Sequence, residues 1–375
     1  MWLAKCATED FRQPAFRHCV AIAVPARNEA RSVAACIRAL DSAAEKVPGS
    51  KVTVLISVNN SSDDTATLAR CEIPRHLALL VETIELPDHV AHAGFARRVA
   101  LDRCASVLPT DGILMTTDAD SCVAPDWIAA NLYAIEQGAD AVAGVVALND
   151  DDRALVRLPA ERALEWRLAH LHARMGSVID PQRHDPWPNH LWAWGASIAL
   201  TLGAYRAVGG LPIIPLAEDR ALAAALEYHD LRVRRSHAPV VYTSPRRQGR
   251  APGGFADLIT SYLNNPGADC DAVLEPTMMW LRRLRWRARL RRIFAAEGVH
   301  AAAAAAQQLE SFSSRDTPSF GAWWHAVENT SPLLERRRLA PTELDMETRQ
   351  ATRILTLLER DGASRADNAV RARDE

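Results

Sequence analysis

No apolar run in the 375 residues is long enough to cross a bilayer. The longest uncharged stretch, Leu191–Tyr205, is short and broken by Gly195 and Gly203, which predicts no transmembrane helix. The opening residues, Met1–Pro14, carry Lys5, Glu9, Asp10 and Arg12 and lack the apolar segment of a secretory leader. A large charge of one sign is missing too: the net charge is −2, so composition gives no argument for nucleic acid as a partner. The seven cysteines (Cys6, Cys19, Cys36, Cys71, Cys104, Cys122 and Cys270) form no C-x-x-C pair and no regular spacing. That excludes a regular disulfide framework and fits reduced thiols in a cytoplasm. Lysine is confined to positions 5, 46 and 51, and the loop after the first apolar segment contains no glycine and no lysine. A glycine-rich phosphate loop is therefore absent, which argues against a nucleotidyltransferase.

What remains is an ordinary globular composition with 48% hydrophobic residues, enough to bury a large core. Val20–Val24, Val52–Val58, Leu79–Ile84, Gly112–Thr117 and Ala141–Leu148 read as strands, the second almost wholly apolar, as for a strand covered on both faces. Between them, helical spacing recurs at Val33, Cys36, Ile37 and Leu40, and helices are predicted around Ala96–Leu108 and Arg153–Arg174. Strands alternating with crossover-length segments imply an α/β fold with a mostly parallel, Rossmann-like sheet flanked by helices. After about residue 266 the chain becomes arginine- and alanine-rich. The expected division is a catalytic domain over 15–265, a helical C-terminal extension over 266–361, and a disordered tail over 362–375.

The most informative motif is Asp118-Ala119-Asp120 at the end of an apolar strand. Two carboxylates on one side of a strand end suit a divalent cation whose remaining positions a substrate diphosphate fills. Around it lie Pro25-Ala-Arg27-Asn28-Glu29 after the first strand, Asn59-Asn60-Ser-Ser-Asp-Asp-Thr65 after the second, and Ala217-Glu218-Asp219 before a helix-like segment. In this order, over roughly residues 18–260, the chain resembles family 2 glycosyltransferases of the GT-A fold. The resemblance implies a nucleotide diphosphate sugar donor, Mg²⁺ or Mn²⁺ at the D-x-D, and a carboxylate that deprotonates an acceptor hydroxyl of a small molecule, a lipid or a glycan.

Carried over residue by residue, the resemblance assigns Pro25, Arg27 and Glu29 to the nucleoside, with Asn59 and Asn60 where many members have an Asp-Asp that contacts uracil. Gly94, Arg97 and Arg98 fall beside the nucleotide, with Arg98 as the binding candidate. Asp120 takes the metal, Asp118 takes ribose or a metal-bound water, and Asp219 is the general base. Glu218 and Trp194 fall on the acceptor side, although Glu218-Asp219 also suits a helix start. The loop Ser244–Arg250 supplies Arg246, Arg247 and Arg250 for the diphosphate, with His237 as a further metal contact. Gln248 is followed by Gly, Arg and Ala, which departs from the Q-x-x-R-W pattern of processive members and favours single addition.

Two rival readings stay open: a retaining GT-A enzyme acting on a small acid, and a non-catalytic module. The second rests on Trp280–Phe294, whose seven arginines alternate with Leu281, Leu284, Leu290, Ile293 and Phe294. Such a helix either packs on its own domain with solvated arginines or gives a peripheral contact with anionic lipid. The expected location is the cytoplasm, with membrane association on the second alternative.

Overall fold

A computed structural model describes residues 16–148, 160–244, 246, 255–265, 267–311, 317 and 319–374. The chain divides into two compact units, Met1–Arg157 with Trp192–Thr260, and Leu158–Leu191 with Ser261–Glu375. The linear division expected at 265/266 therefore becomes a discontinuous one, in which residues 158–191 group with the C-terminal helices.

The first unit holds an eight-stranded sheet: β1 (Cys19–Ala26), β2 (Lys51–Asn59), β3 (Ala78–Ile84), β4 (Ile113–Thr116), β5 (Ser121–Val123), β6 (Ala141–Ala147), β7 (Ile198–Thr201) and β8 (Val233–Thr243). Their order is β3-β2-β1-β4-β7-β6-β8-β5. The first four are parallel to one another. β7 then runs antiparallel to both β4 and β6, β8 is parallel to β6, and β5 closes the edge antiparallel to β8. The sheet is thus mixed, with a continuous parallel part in the N-terminal strands and one further parallel pair, β6 with β8.

Strand β1 shows why the sheet sits where it does. Val20, Ile22 and Val24 join one apolar cluster, while Ala21 and Ala23 join the other, as alternation along a strand dictates. The first cluster receives α1 (Val33–Glu45), which buries Val33, Cys36, Ile37, Leu40, Ala43 and Ala44, and α4 (Trp127–Glu136). The second receives α3 (Ala93–Val107), α6 (Leu202–Ala207) and α7 (Glu218–Tyr228). A short helix, α2 (Thr65–Cys71), follows β2.

From β1 the chain passes through α1 to β2 on one side, and from β3 it passes through α3 to β4 on the other. The loops leaving β1 and β4 therefore diverge, and a crevice opens at the carboxyl ends of these adjacent strands. The sequence pattern missed β5, β7 and β8. Strand β8 reads Val-Arg-Arg-Ser-His-Ala-Pro, whose charges and proline hide it, yet it pairs on both sides.

The second unit is helical: α5 (Ala160–Ile179), α9 (Thr277–Glu297), α10 (Val299–Ala306), α11 (Phe320–Thr330) and α12 (Leu344–Asp374). Helix α8 (Phe255–Asn264) precedes α9. Helix α12 continues to Asp374, through the residues whose composition reads as a tail. Trp323 lies fully buried among Leu290, Leu309, Phe320 and Val327. The arginines of α9 are largely committed inside this unit. Arg283 pairs with the buried Glu275 and lies 2.9 Å from Glu328, and Arg287 and Arg291 lie 3.2 and 3.0 Å from Asp180. Among the described residues no helix is long and apolar enough to cross a membrane.

Gly144 on β6 meets its neighbours without a side chain. A Cβ there would lie 2.3 Å from the Pro239 carbonyl oxygen and 2.3 Å from Ser197 Oγ, at the irregular step where β6 and β8 lose register. Gly144→Ala is expected to destabilise the chain by about 1–3 kcal/mol through overpacking, read as a lower urea midpoint with an unchanged slope.

Candidate functional site

The loops after β1 and β2 are knit together by their own polar side chains. Asn28, at φ 56°, accepts from the Ser62 N–H (2.8 Å) through Oδ1, and its N–H donates to Ser61 Oγ (3.0 Å). The Glu29 N–H donates to Thr65 Oγ1 (2.7 Å) and the Ala30 N–H to Asp63 Oδ2 (3.1 Å). The two motifs after the first two strands thus form one surface, on which Pro25 is half-buried and Arg27 exposed. Asn59 is buried at the end of β2. Asn60 spends both ends of its amide on Leu86, donating to the carbonyl at 2.9 Å and accepting from the N–H at 3.1 Å. Its side chain is a brace for this loop rather than a group held out toward a base.

Across the crevice, Arg97 of α3 organises the end of β4. Its guanidinium donates to Asp118 Oδ1 (2.7 Å), Thr116 Oγ1 (3.0 Å) and the Gly195 carbonyl (2.9 Å), and meets Glu218 Oε1 at 3.3 Å. Burial alone would lower its pKa, but the Asp118 and Glu218 carboxylates outweigh that and hold it charged. Two glycines make room. At Gly195 a Cβ would lie 2.9 Å from the Arg97 guanidinium carbon, and at Gly94 it would lie 2.4 Å from the Ile214 carbonyl oxygen.

Arg98, the candidate from the sequence, points elsewhere. It pairs with Asp102 (2.6 Å) and donates to the Leu211 carbonyl (2.8 Å). It props the turn at Gly210, where a Cβ would sit 2.6 Å from its guanidinium carbon. The helical step from Arg97 to Arg98 turns the side chain about 100°, so the residue that reaches the carboxylates is Arg97.

A second guanidinium closes the crevice. Arg246, just beyond β8, places Nη1 2.6 Å from Glu29 Oε1 and Nη2 2.8 Å from Asp120 Oδ2. Glu29 and Asp120 are both largely buried. Burial first, and the neighbouring Asp118 after it, push the Asp120 carboxyl up to about 6, with Arg246 partly offsetting both. Arg247 and Arg250 lie outside the described residues.

His237 does not reach this cluster. Thr243 pairs with Ser121, the neighbour of Asp120, and His237 lies six positions earlier on β8, on the order of 15–20 Å back along an extended strand at ~3.3 Å per residue. The metal contact expected of His237 is therefore corrected. It is Arg246, past the strand end, that meets Asp120.

Asp219 lies in the first turn of α7, after Ala217 in the left-handed region at φ 61°. Its Oδ2 accepts from the Gly195 N–H (2.8 Å) and its Oδ1 from the Arg220 N–H (2.7 Å). Burial raises its pKa and Glu218 adds to the rise, while the two backbone donors and Arg97 oppose it. Glu218, expected on the acceptor side, is buried against Arg97, so it acts on the site through that arginine. Trp194 is half-buried and stacks on Trp192 at 5.3 Å, immediately before Gly195. The peptide of Gly195 therefore touches both halves of the site, with its carbonyl on Arg97 and its N–H on Asp219. Neither Arg97 as organiser nor the Gly195 link follows from motif spacing.

Among the described residues no group of three or more His, Cys, Asp and Glu is arranged as a metal cage. The arrangement is instead an open rim of carboxylates, Glu29, Asp118 and Asp120, countered by two arginines, with a further carboxylate on the far side of Gly195.

Residues 21–189 match the family described as Glycosyl transferase family 2. No curated protein matches the chain. Similar solved structures include TarS 1-349 from S. aureus, at 14% identity over 92% of each chain with a TM-score of 0.42. Another is the mannosyltransferase PcManGT from Pyrobaculum calidifontis in complex with GDP-Man and Mn²⁺, at 18% identity over 85% of this chain and 90% of that one, TM-score 0.42. A third is glucosyl-3-phosphoglycerate synthase from Mycobacterium tuberculosis in complex with Mg²⁺ and uridine-diphosphate, at 16% identity over 66% of this chain and 79% of that one, TM-score 0.39.

Replacing Arg97 by Met leaves the buried Glu218 without its arginine and takes the ion pair from the partly exposed Asp118. The expected loss is about 3–5 kcal/mol of stability, measured by urea denaturation. Arg97→Lys is expected to recover only part of it, because an ammonium on a flexible stem cannot meet four acceptors in a fixed fork.

Proposed function

We propose that this chain, a family 2 glycosyltransferase over residues 21–189, moves a sugar from a nucleoside diphosphate sugar to an acceptor hydroxyl by a single in-line displacement. The observation that carries the reading is the meeting of Glu29, Asp118 and Asp120 at the crevice between β1 and β4, the place where an open α/β sheet binds its ligand. The joined loops after β1 and β2, with Pro25, Arg27 and Asn59, offer the nucleoside side. Arg246 offers a planar fork to the diphosphate.

The carboxylate oxygens are hard donors, and the Arg246 guanidinium already lies between Glu29 and Asp120 as a cation would. The rim therefore fits Mg²⁺ or Mn²⁺. Asp120 would hold the ion with Asp118 beside it, and when bound it would neutralise charge developing on the departing diphosphate.

Asp219 is the base. As the acceptor oxygen bonds to the anomeric carbon, the bond from that carbon to the phosphate oxygen breaks and its electron pair leaves with the nucleoside diphosphate. The acceptor proton passes to an Asp219 carboxylate oxygen. The Gly195 and Arg220 N–H groups fix the plane of that carboxylate, and its raised pKa makes it a better proton acceptor than an exposed aspartate. Trp194, next in sequence to Gly195 and half-buried, offers an indole for the C–H face of an acceptor. One displacement inverts the anomeric centre, and the departure from the Q-x-x-R-W pattern after Gln248 favours a single addition.

The experiment is thermal stabilisation by UDP, GDP, dTDP and CDP, each with and without Mn²⁺. One nucleotide is expected to raise the melting temperature only with metal, and Asp120→Ala is expected to abolish the rise; no shift with any of the four would remove the donor reading. With the donor known, Asp219→Asn is expected to lower kcat by about 10²–10⁴-fold with donor binding intact. Because Asp219 must be deprotonated to act and its pKa is raised, kcat/KM is expected to fall on the acid side at a pH above the ordinary aspartate range. Proton NMR of the product reads the anomeric configuration, and retention would refute the base.

A further inference from the structure

We infer that Arg246 is a built-in counter-ion of the donor site: without nucleotide it neutralises Glu29 and Asp120, and it leaves them for the diphosphate when a metal-bound nucleotide arrives. The inference rests on the donor-site reading above.

The two arginines of the site are held differently. Arg97 is buried on α3 and tied to Asp118, Glu218, Thr116 and Gly195. It is part of the frame. Arg246 lies three positions beyond the end of β8, is about a quarter exposed, and uses separate nitrogens on Glu29 and Asp120. Its own N–H donates to Ser244 Oγ at 3.4 Å.

Three carboxylates crowd this end of the crevice, and Arg97 answers Asp118 while nothing but Arg246 bridges Glu29 to Asp120 among the ion pairs described. A buried carboxylate is costly unless its charge is answered, and Arg246 supplies a positive charge shared by Glu29 and Asp120. A divalent ion arriving alone must displace the guanidinium and leave it unpaired. A diphosphate arriving with the ion gives the guanidinium two new anionic partners of matching geometry. Metal and nucleotide are thereby coupled through one side chain, and the coupling is reciprocal.

The test measures Mn²⁺ binding by electron paramagnetic resonance, with and without the nucleoside diphosphate that stabilises the protein, in wild type, Arg246→Ala and Arg246→Lys. In wild type the nucleotide is expected to tighten Mn²⁺ binding by a factor on the order of 5–150. Arg246→Ala is expected to bind Mn²⁺ alone more tightly than wild type, to bind nucleotide with Mn²⁺ more weakly, and to lose most of the coupling. Arg246→Lys is expected to fall between them.

Opposite signs on the two ligands distinguish a counter-ion from a residue that merely contacts phosphate, which would weaken nucleotide binding and leave metal alone unchanged. If Arg246→Ala leaves the affinity for metal alone unchanged or weaker while nucleotide still stabilises wild type, the counter-ion role falls and the donor site stands. If wild type binds no Mn²⁺ under any of the four nucleotides, the donor site falls and the counter-ion role with it.

Discussion

The buried guanidinium of Arg97 is the contact on which the rest of the site depends. It reaches Asp118 at the end of β4, Glu218 at the start of α7 and the Gly195 carbonyl, groups that no local structure would bring together. A buried arginine is tolerated only when its donors are met and its charge is answered, and here both requirements are satisfied by the groups that border the crevice. The glycines at 94 and 195 are the steric counterpart of this arrangement, since each stands where a Cβ would strike a carbonyl oxygen or the guanidinium itself.

From this frame the electrostatics of the two carboxylate centres follow. Asp120 sits among Asp118 and Glu29 with Arg246 as a shared counter-charge, and its pKa is raised by burial and by Asp118. Asp219 sits beside Glu218, whose charge Arg97 partly absorbs, and is raised chiefly by burial. The proposed function gives the first centre the cation and the second the proton. The same arginine keeps the two from being a single block of repulsion. The second unit solves a related problem with Glu275 and Asp180, each buried and each answered by arginines of α9, which leaves fewer of the helix's charges to face a lipid surface.

How much of this was legible in advance can be followed residue by residue. Strands β1 to β4 and β6 were readable because apolar runs bounded by turn residues are local signals. Strand β8 was not, because Arg234, Arg235 and Pro239 contradict a strand pattern that pairing on both edges overrides. Asp118 and Asp120 stood out because two carboxylates at a strand end are a local feature, whereas Glu29 and Asp219 stood out through the order of motifs that resembles family 2 glycosyltransferases. His237 stood out for its side chain alone, and its register on β8 takes it away. Arg98 and Arg97 are neighbours that only the phase of a helix separates.

The amino-acid order by itself determined the alternation of strands and helices, the two faces of β1, and the positions at which carboxylates leave the sheet, since each follows from spacing over a few residues. Tertiary structure alone decided which cation answers which anion: Arg97 with Glu218 across 121 positions, Arg246 with Glu29 across 217. Pairings at such separations are set by how the sheet is ordered and where its loops diverge, and a charge carries no mark of its partner until the chain has closed around both.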